Sequence, residues 1–151
     1  MAKKVGIISD THGLLRKEVQ NILKSCDCIL HAGDIDKPEI LDQLRLMGSV
    51  YVVRGNNDGY WAEKLSKTLR FKIEDVEFFM THNKKDVSWD LGSTQIVITG
   101  HTHKYAEEKR NGRLWLNPGS CGRSRFGGEV TMAVMEIDKE KYQVEKIVLE
   151  K

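Results

Sequence analysis

Five short apolar runs mark the chain, and each ends at a cluster of polar side chains. They occupy residues 5–9, 28–32, 50–54, 78–81 and 96–99. Apolar runs of this length, bounded by Gly, Asp and Asn, are typical of buried β-strands. The pattern therefore predicts five buried strands, each followed directly by a loop that carries Asp, Asn or His.

The first third of the chain alternates strands with helices. Between the first two strands the apolar positions recur with a helical period, at Leu15, Val19, Ile22 and Leu23. Pro38 suits a first helical turn and Gly48 a helix end, which predicts a second helix between them. Right-handed crossovers then place the first three strands in one parallel sheet, with their following loops at the same edge. We expect four polar side chains to converge there: Asp10, His12, Asp34 and Asn56.

The remainder of the chain has an antiparallel pattern. Residues 71–73 and 76–80 flank a two-residue turn, and residues 109–116 fold back at Asn111-Gly112, a strong hairpin signal. Residues 129–137 are apolar at both alternating positions, as in a strand between two layers, and residues 142–149 follow as its partner. The pattern predicts an α/β fold in which two sheets pack face to face with helices outside.

Composition and charge restrict the class of protein only mildly. A chain of 151 residues and 17.3 kDa can bury a core as one domain without disulfides. Its formal charge of +2, with 30% charged residues and no polybasic tract, indicates neither a nucleic acid nor a membrane partner. Three cysteines and a start without a signal-peptide core favour the reducing cytoplasm.

Four of the five histidines fall in the polar clusters, together with carboxylates. Imidazole and carboxylate are ligands of Mn, Fe, Ni and Zn, and the absence of cysteine argues against a structural zinc site. A single Asp after Gly is ordinary turn chemistry, but the repetition behind five strands favours a catalytic two-metal site. The clusters are Asp10-Thr11-His12, Gly33-Asp34, Gly55-Asn56-Asn57-Asp58, Thr81-His82 and Gly100-His101-Thr102-His103.

In order and spacing, these clusters resemble the motifs of the calcineurin-like metallophosphoesterases over nearly the whole chain. The chain is most similar to the small single-domain branch of YfcE-type phosphodiesterases, to which Vps29 is related. The resemblance implies one domain over residues 1–151, with the four-layer α/β/β/α sandwich of the metallo-dependent phosphatases. It also implies two divalent metal ions, with Mn expected and Ni, Fe or Zn as alternatives.

The resemblance also assigns the metal ligands residue by residue. One metal would be bound by Asp10, His12 and His103. The other would be bound by Asn56, His82 and His101. Asp34 would bridge both metals, and Asn56 rather than Asn57 is the ligand because it comes first after Gly55 in the family's G-N-H-D pattern.

The resemblance implies a phosphodiesterase in which a hydroxide held by two metals attacks a small or nucleotide-like phosphodiester. Four metal charges against Asp10, Asp34 and the hydroxide leave the site cationic, which attracts phosphate. A phosphomonoesterase is the alternative in chemistry. A non-catalytic protein-interaction module like Vps29 is the alternative in class, and the possibility of a homo-oligomer stays open.

Several candidates next to the ligands have two interpretations. Where the larger family has a His after the metal-binding Asn, this chain has Asn57, which can hydrogen-bond near the leaving oxygen but cannot protonate it. His31 either orients a ligand or is a hydrogen-bonded core histidine. Asp58 either steadies His12 or Asn56 or caps the next turn.

The substrate side of the site offers further candidates. Arg123 and Arg125, in a Gly-rich stretch, are candidates for bidentate hydrogen bonds to a substrate phosphate. Tyr60 and Trp61 either wall the cleft or pack inside, and Lys84 and Lys85 either contact phosphate or are solvated. The segment between His82 and Ile96 is shorter than in the branch it resembles, which often carries a helix there.

Overall fold

The computed structural model describes residues 2–124 and 127–150 of the chain. The described residues form ten β-strands, two α-helices and two short 3₁₀ helices. The strands, in chain order, are β1 (Lys3–Ile8), β2 (Cys28–His31), β3 (Ser49–Val52), β4 (Thr68–Ile73), β5 (Val76–Thr81), β6 (Ile96–Ile98), β7 (Tyr105–Arg110), β8 (Arg113–Pro118), β9 (Val130–Asp138) and β10 (Lys141–Leu149). The helices are α1 (Lys17–Leu23) and α2 (Pro38–Met47), and the 3₁₀ helices are Tyr60–Ala62 and Lys84–Asp86.

The first sheet has the strand order β10-β9-β1-β2-β3. Strands β1, β2 and β3 run parallel, and α1 and α2 form the crossovers between them, so the predicted alternation is confirmed. Pro38 begins α2, where its fixed φ suits the first turn, and Gly48 follows the last residue of the helix with an extended backbone. Within residues 2–124 and 127–150, no helix has the length and apolar character that spanning a bilayer requires.

The second sheet has the order β4-β5-β6-β8-β7 and is mixed. The two predicted hairpins are confirmed, since β4 pairs antiparallel with β5, and β7 with β8. Asn111 and Gly112 make the second turn with φ of 53° and 77°, as a tight hairpin turn demands. Strands β5, β6 and β8 pair in parallel, so the loops after β5 and β6 lie at one edge.

The main core lies between the two sheets. Alternate residues of both sheets meet there and are fully buried, among them Ile7, Leu30, Phe78, Ile98 and Met135. On the other face of the first sheet, α1 and α2 cover a second apolar cluster. Burial of each such aliphatic or aromatic side chain contributes about 1.5–3 kcal/mol to the stability of the fold. The two apolar clusters therefore hold the edges of the sheets in place.

The outer face of the second sheet has only a thin cover. Phe79 and Val97 project there and pack with Leu91, Val87 and Trp115. In the described part of the chain, this fourth layer consists of the 3₁₀ helix Lys84–Asp86 and irregular chain, because the connection from β5 to β6 is short. The two-sheet α/β sandwich is thus present, and both α-helices of residues 2–124 and 127–150 lie on the first sheet.

Candidate metal centre

The predicted metal ligands lie in loops that follow strands of both sheets. Asp10, Asp34 and Asn56 belong to the loops after β1, β2 and β3, and the later histidines to those after β5 and β6. Backbone hydrogen bonds tie these loops together. The amide of His12 donates to the carbonyl of Asp34 at 3.0 Å, and that of Gly100 to the carbonyl of His82 at 2.9 Å. The structure therefore brings all seven side chains to one place.

Most of these ligand positions have a strained backbone. Left-handed φ angles occur at Asp10 (54°), His12 (46°), Asp34 (60°), His101 (75°) and His103 (65°). A residue with a side chain in this region costs of order 1–3 kcal/mol and persists where its surroundings over-determine it. Five such residues in three loops indicate that the turns are shaped by the site rather than by local preference.

The first group of donors consists of Asp10, His12 and His103. Their ligand atoms lie within 4.8 Å of one another. Nε2 of His12 is 3.5 Å from Oδ1 of Asp10 and 3.2 Å from Nε2 of His103. Asp10 is fully buried, so its carboxylate has no solvent to stabilise it. Two imidazoles and one carboxylate thus point to a common centre.

The second group consists of Asp34, His82 and His101, whose ligand atoms also lie within 4.8 Å of one another. Nδ1 of His82 donates to the carbonyl of Ala32 at 2.8 Å, which leaves Nε2 facing Oδ2 of Asp34 at 3.1 Å. Oδ1 of Asn56 lies 3.2 Å from Nδ1 of His101 and adds a neutral oxygen. Oδ2 of Asp34 is also 3.6 Å from Nε2 of His12, so this carboxylate lies between the groups.

Two buried side-chain atoms indicate which kind of ligand the site binds. Among the described residues, Oδ1 of Asp10 and Nε2 of His82 are buried without any hydrogen-bond partner. They lie 3.8 Å apart. A buried polar atom without a partner costs of order 1–3 kcal/mol, and more when it is charged. These atoms fit divalent cations, because carboxylate oxygen and imidazole nitrogen are the donors that such ions accept.

The charges of the site are strongly coupled. Burial raises the pKa of Asp10, but the neighbouring imidazoles of His103 and His12 outweigh it and hold that pKa well below its usual range. The nearby carboxylate of Asp10 raises the pKa of His12 against the effect of burial. Burial lowers the pKa of His82, yet the nearby carboxylate of Asp34 prevails and raises it. Cations and protons therefore compete for these two imidazoles.

Sequence reasoning missed Asp36, which orients a ligand. Its Oδ2 lies 3.0 Å from Nδ1 of His12, so the carboxylate accepts from Nδ1 and leaves Nε2 directed at Asp10. Such carboxylate–histidine pairs fix the tautomer and the ring orientation of metal ligands. The one available signal was an acidic residue two positions after Asp34, which is ordinary in a turn.

Asp58 binds backbone rather than ligand side chains. Its carboxylate accepts from the amides of Asp34 (3.0 Å), Ile35 (2.8 Å), Asp36 (2.9 Å) and Gly55 (2.9 Å). It therefore joins the loop of Asp34 to the loop of Asn56. Its described hydrogen bonds include none to the side chains of His12 or Asn56, the two partners that sequence analysis considered.

His31 is a fully buried histidine that connects two ligand loops. Its Nδ1 accepts from the amide of Gly33 at 3.0 Å, so its Nε2 carries the proton and donates to Oγ1 of Thr11, 3.1 Å away. Burial lowers the pKa of His31 to about 4, which keeps the ring neutral. Its partners are thus a threonine and a backbone amide, as in a hydrogen-bonded core histidine.

A cavity of about 320 Å³ opens over the centre and is lined by His12, Asp34, Asn56, Asn57, His101, Thr102 and His103. Asn57 stands at its mouth, where its backbone amide donates to Oδ1 of Asp34 at 2.9 Å. Its side-chain amide lies 3.4 Å from Oδ2 of the same carboxylate. Asn57 can therefore present hydrogen-bond donors to a group that enters this cavity.

A second cavity, of about 540 Å³, adjoins the first and shares Asn56 with it. We term it the basic cavity after Arg54, Lys67 and Lys85, which line it together with Tyr60, His82 and three carboxylates, Asp58, Glu63 and Asp86. Of each pair of neighbouring candidates from the sequence, one residue lines this cavity and the other does not. Tyr60 and Lys85 line the basic cavity, while Trp61 packs under the first sheet and Lys84 lies over the ring of Trp115.

The two arginine candidates do not join the site in the part of the chain that the structure describes. Arg123 is exposed in the loop after β8 and lines neither cavity. Arg125 lies outside the described residues. This loop contacts the site through Ser120, whose Oγ donates to the carbonyl of Asp10 at 2.8 Å.

Comparison with known proteins decides the family. A family model described as the calcineurin-like phosphoesterase superfamily domain matches residues 4–140. The chain belongs to this superfamily. The resemblance carried by the histidine and aspartate clusters is thereby confirmed, and the sandwich of two sheets is the fold of these metallophosphoesterases. This chain is a phosphoesterase of a metal-dependent family, with two groups of side chains suited to metal.

Curated relatives and solved structures agree with this assignment. A probable metallophosphoesterase of Methanothermobacter thermautotrophicus is 30% identical over 158 residues, covering 95% of this chain and 91% of the relative. A phosphodiesterase of Methanocaldococcus jannaschii is 28% identical over 168 residues, covering 97% and 99%. The structure of Vps29 from Entamoeba histolytica complexed with zinc matches with a TM-score of 0.75 and 23% identity, covering 96% and 98%, and shares the fold.

Proposed function

We propose that this metallophosphoesterase is a phosphodiesterase with two divalent metal ions, formed by one domain over residues 1–151. The observation that carries the proposal is the pair of donor groups that meet at Asp34, where Oδ1 of Asp10 and Nε2 of His82 are buried without partners. The relative from Methanocaldococcus jannaschii named a phosphodiesterase supports the choice of a diester. The substrate we propose is small or nucleotide-like.

The seven predicted ligands would hold the two ions. Asp10, His12 and His103 would hold one, Asn56, His82 and His101 the other, and Asp34 would contact both. Bound there, the ions supply an activated water and the positive charge that draws a phosphoryl group. We propose Mn, with Ni, Fe or Zn as alternatives, because this donor set accepts all of them.

Other residues of the chain hold this arrangement in place and set the substrate preference. Asp36 and the carbonyl of Ala32 orient the rings of His12 and His82, and Asp58 fixes the loop of Asp34. Asn57 donates hydrogen bonds into the cavity but has no proton to transfer at neutral pH. We therefore propose that esters whose alcohol leaves readily as an anion are the better substrates.

We also propose the cytoplasm as the compartment. Cys26, Cys28 and Cys121 are free and buried. Burial raises the pKa of each thiol, to about 11 for Cys28 and about 12 for Cys121, so they are unreactive core residues. Three unpaired cysteines suit a reducing environment.

The direct test compares bis(p-nitrophenyl) phosphate with p-nitrophenyl phosphate after chelation and reconstitution with single metal ions. We expect kcat/KM for the diester to exceed that for the monoester at least tenfold, with two ions bound per chain. A faster monoester would make the protein a phosphomonoesterase. Two bound ions without turnover of any ester would favour the interaction module instead.

Two neighbouring asparagines provide a matched pair of variants for the metal assignment. Asn56→Ala removes a proposed ligand, and we expect one tightly bound ion instead of two, measured by calorimetry and elemental analysis. Asn57→Ala removes a side chain of the same size next to it, and we expect both ions to remain. Loss of an ion in Asn57→Ala with retention in Asn56→Ala would reverse the two roles.

A further inference from the structure

The basic cavity has more room than the scissile phosphate needs. It is continuous with the second donor group, because Asn56 and His82 form part of its wall. Its volume of about 540 Å³ lies within the range of small-molecule sites. There is therefore room here for one ester group of a phosphodiester bound at the second donor group.

The cavity wall carries three cations, Arg54, Lys67 and Lys85, and three carboxylates, Asp58, Glu63 and Asp86. Lys67 forms a salt bridge with Asp86 at 3.6 Å, and the carboxylate of Asp58 accepts hydrogen bonds from four backbone amides. Arg54 has one long hydrogen bond, 3.5 Å to the carbonyl of Glu63. Within the described residues, the ammonium of Lys85 has no ion pair or hydrogen bond. In the described part of the chain, the charged side chains of the wall without a salt bridge or a short hydrogen bond are therefore Arg54, Lys85 and Glu63.

The position of these two cations matches a second anion close to the first. Arg54 is two residues from Asn56, and Lys85 is three residues from His82. Because an extended chain spans at most about 3.6 Å per residue, their backbones lie within roughly 11 Å of the metal ligands. Arg54 and Lys85, the two cations of the described wall without a carboxylate partner, suit a single additional phosphate and are too few for a long polyanion.

Tyr60 adds an aromatic surface to the same wall. It is 89% exposed, whereas its neighbour Trp61 packs under the first sheet. In the structure described here, no ring stacks on Tyr60. An exposed aromatic ring beside cations is the arrangement by which proteins stack single nucleobases.

We propose that the basic cavity binds the second phosphate and the base of a nucleotide-type phosphodiester. Arg54 and Lys85 contact the phosphate, and Tyr60 stacks on the base. The preferred substrate is then a short nucleotide chain with a terminal phosphate one ester unit from the scissile bond. This inference rests on the proposed function, since it names the substrate class of the same metal centre.

The test uses two dinucleotides that differ in one phosphate, TpT and its 5′-phosphorylated form pTpT. For the metal-loaded wild type we expect kcat/KM about tenfold higher for pTpT, as a charge-assisted contact provides. Lys85→Ala should bring the ratio close to one. Lys84→Ala removes the same charge from the adjacent position, which faces Trp115, and should keep the wild-type ratio. Equal rates for both dinucleotides in the wild type would overturn the inference.

Binding gives a readout that does not depend on turnover. By calorimetry with the metal-loaded protein, thymidine 3′,5′-bisphosphate should bind about tenfold more tightly than thymidine 5′-monophosphate. Tyr60→Ala should weaken both nucleotides, whereas Tyr60→Phe should keep their affinity because the ring remains. Equal affinity of the two nucleotides overturns the inference. If bis(p-nitrophenyl) phosphate is not hydrolysed, the proposed function fails, and this binding ratio still decides the role of the cavity.

Discussion

Replacement of His31 by Asn tests how the ligand loops are joined. His31 is fully buried and links Thr11 to the backbone of Gly33 as a neutral ring. An Asn side chain can still accept from Gly33, but it is too short to donate to Thr11. We expect the variant to be less stable at pH 7, because it loses one hydrogen bond and part of a packed ring.

The size of the pH effect follows from the lowered pKa. Burial shifts the pKa of His31 from 6.5 to about 4, so below pH 6.5 the unfolded chain binds a proton that the folded protein does not. The stability associated with neutral His31 is therefore present above pH 6.5 and is lost as the pH falls toward 4. The 1.5 units between pH 6.5 and 5 correspond to about 2 kcal/mol.

The assay is urea unfolding of metal-free wild type and His31→Asn in chelating buffer at pH 7 and pH 5. His12, His82 and the site carboxylates titrate in both proteins, so their effects cancel in the difference. The stability gap should narrow by about 2 kcal/mol at pH 5. A gap that stays constant or widens would show that His31 is not held neutral and would refute the tautomer inferred from its partners.

Three further predictions concern the metal centre. Asp58→Asn places an NH₂ group against two of the four backbone N–H donors, so we expect the free energy of unfolding to fall by about 3 kcal/mol. The control is Asp90→Asn at an exposed position. An effect below about 1 kcal/mol in urea unfolding would contradict the contacts of Asp58. Asp36→Ala should weaken metal binding about 10- to 100-fold in calorimetry, and unchanged affinity would remove its role in orienting His12. Mn at 100 times its Kd should stabilise the protein by about 2.7 kcal/mol in thermal unfolding. His101→Ala should reduce this stabilisation. An unfolding temperature of the wild type that does not change with Mn would argue against the metal centre.

Much of the fold could be predicted from local patterns. Short apolar runs, the helical period around Val19 and the turn at Asn111-Gly112 are local signals, and the corresponding strands, helix and hairpin are present. The parallel pairing of β6 with β5 and β8 could not be predicted in this way. It depends on packing between segments whose own sequences suit either direction.

The candidate site likewise has features that local sequence predicts and features that only tertiary contacts determine. Its ligand types were readable, because Asp and His behind buried strands are unusual and chemically specific. The supporting contacts were not readable, since Asp36 and His12 are separated by 24 positions and Asp58 and Asp34 by the same number. Nothing local distinguishes these two aspartates from ordinary turn residues.

By itself, then, the sequence determined the order of strands and helices and the chemistry of the polar clusters, because periodicity and side-chain type are properties of short segments. Only the tertiary structure decided which donors share a centre, which tautomer His31 adopts, and that Lys85 faces the basic cavity while Lys84 faces Trp115. These features depend on the packing of two sheets that bring distant loops within hydrogen-bonding distance. Long-range packing sets them, and no short segment encodes it alone.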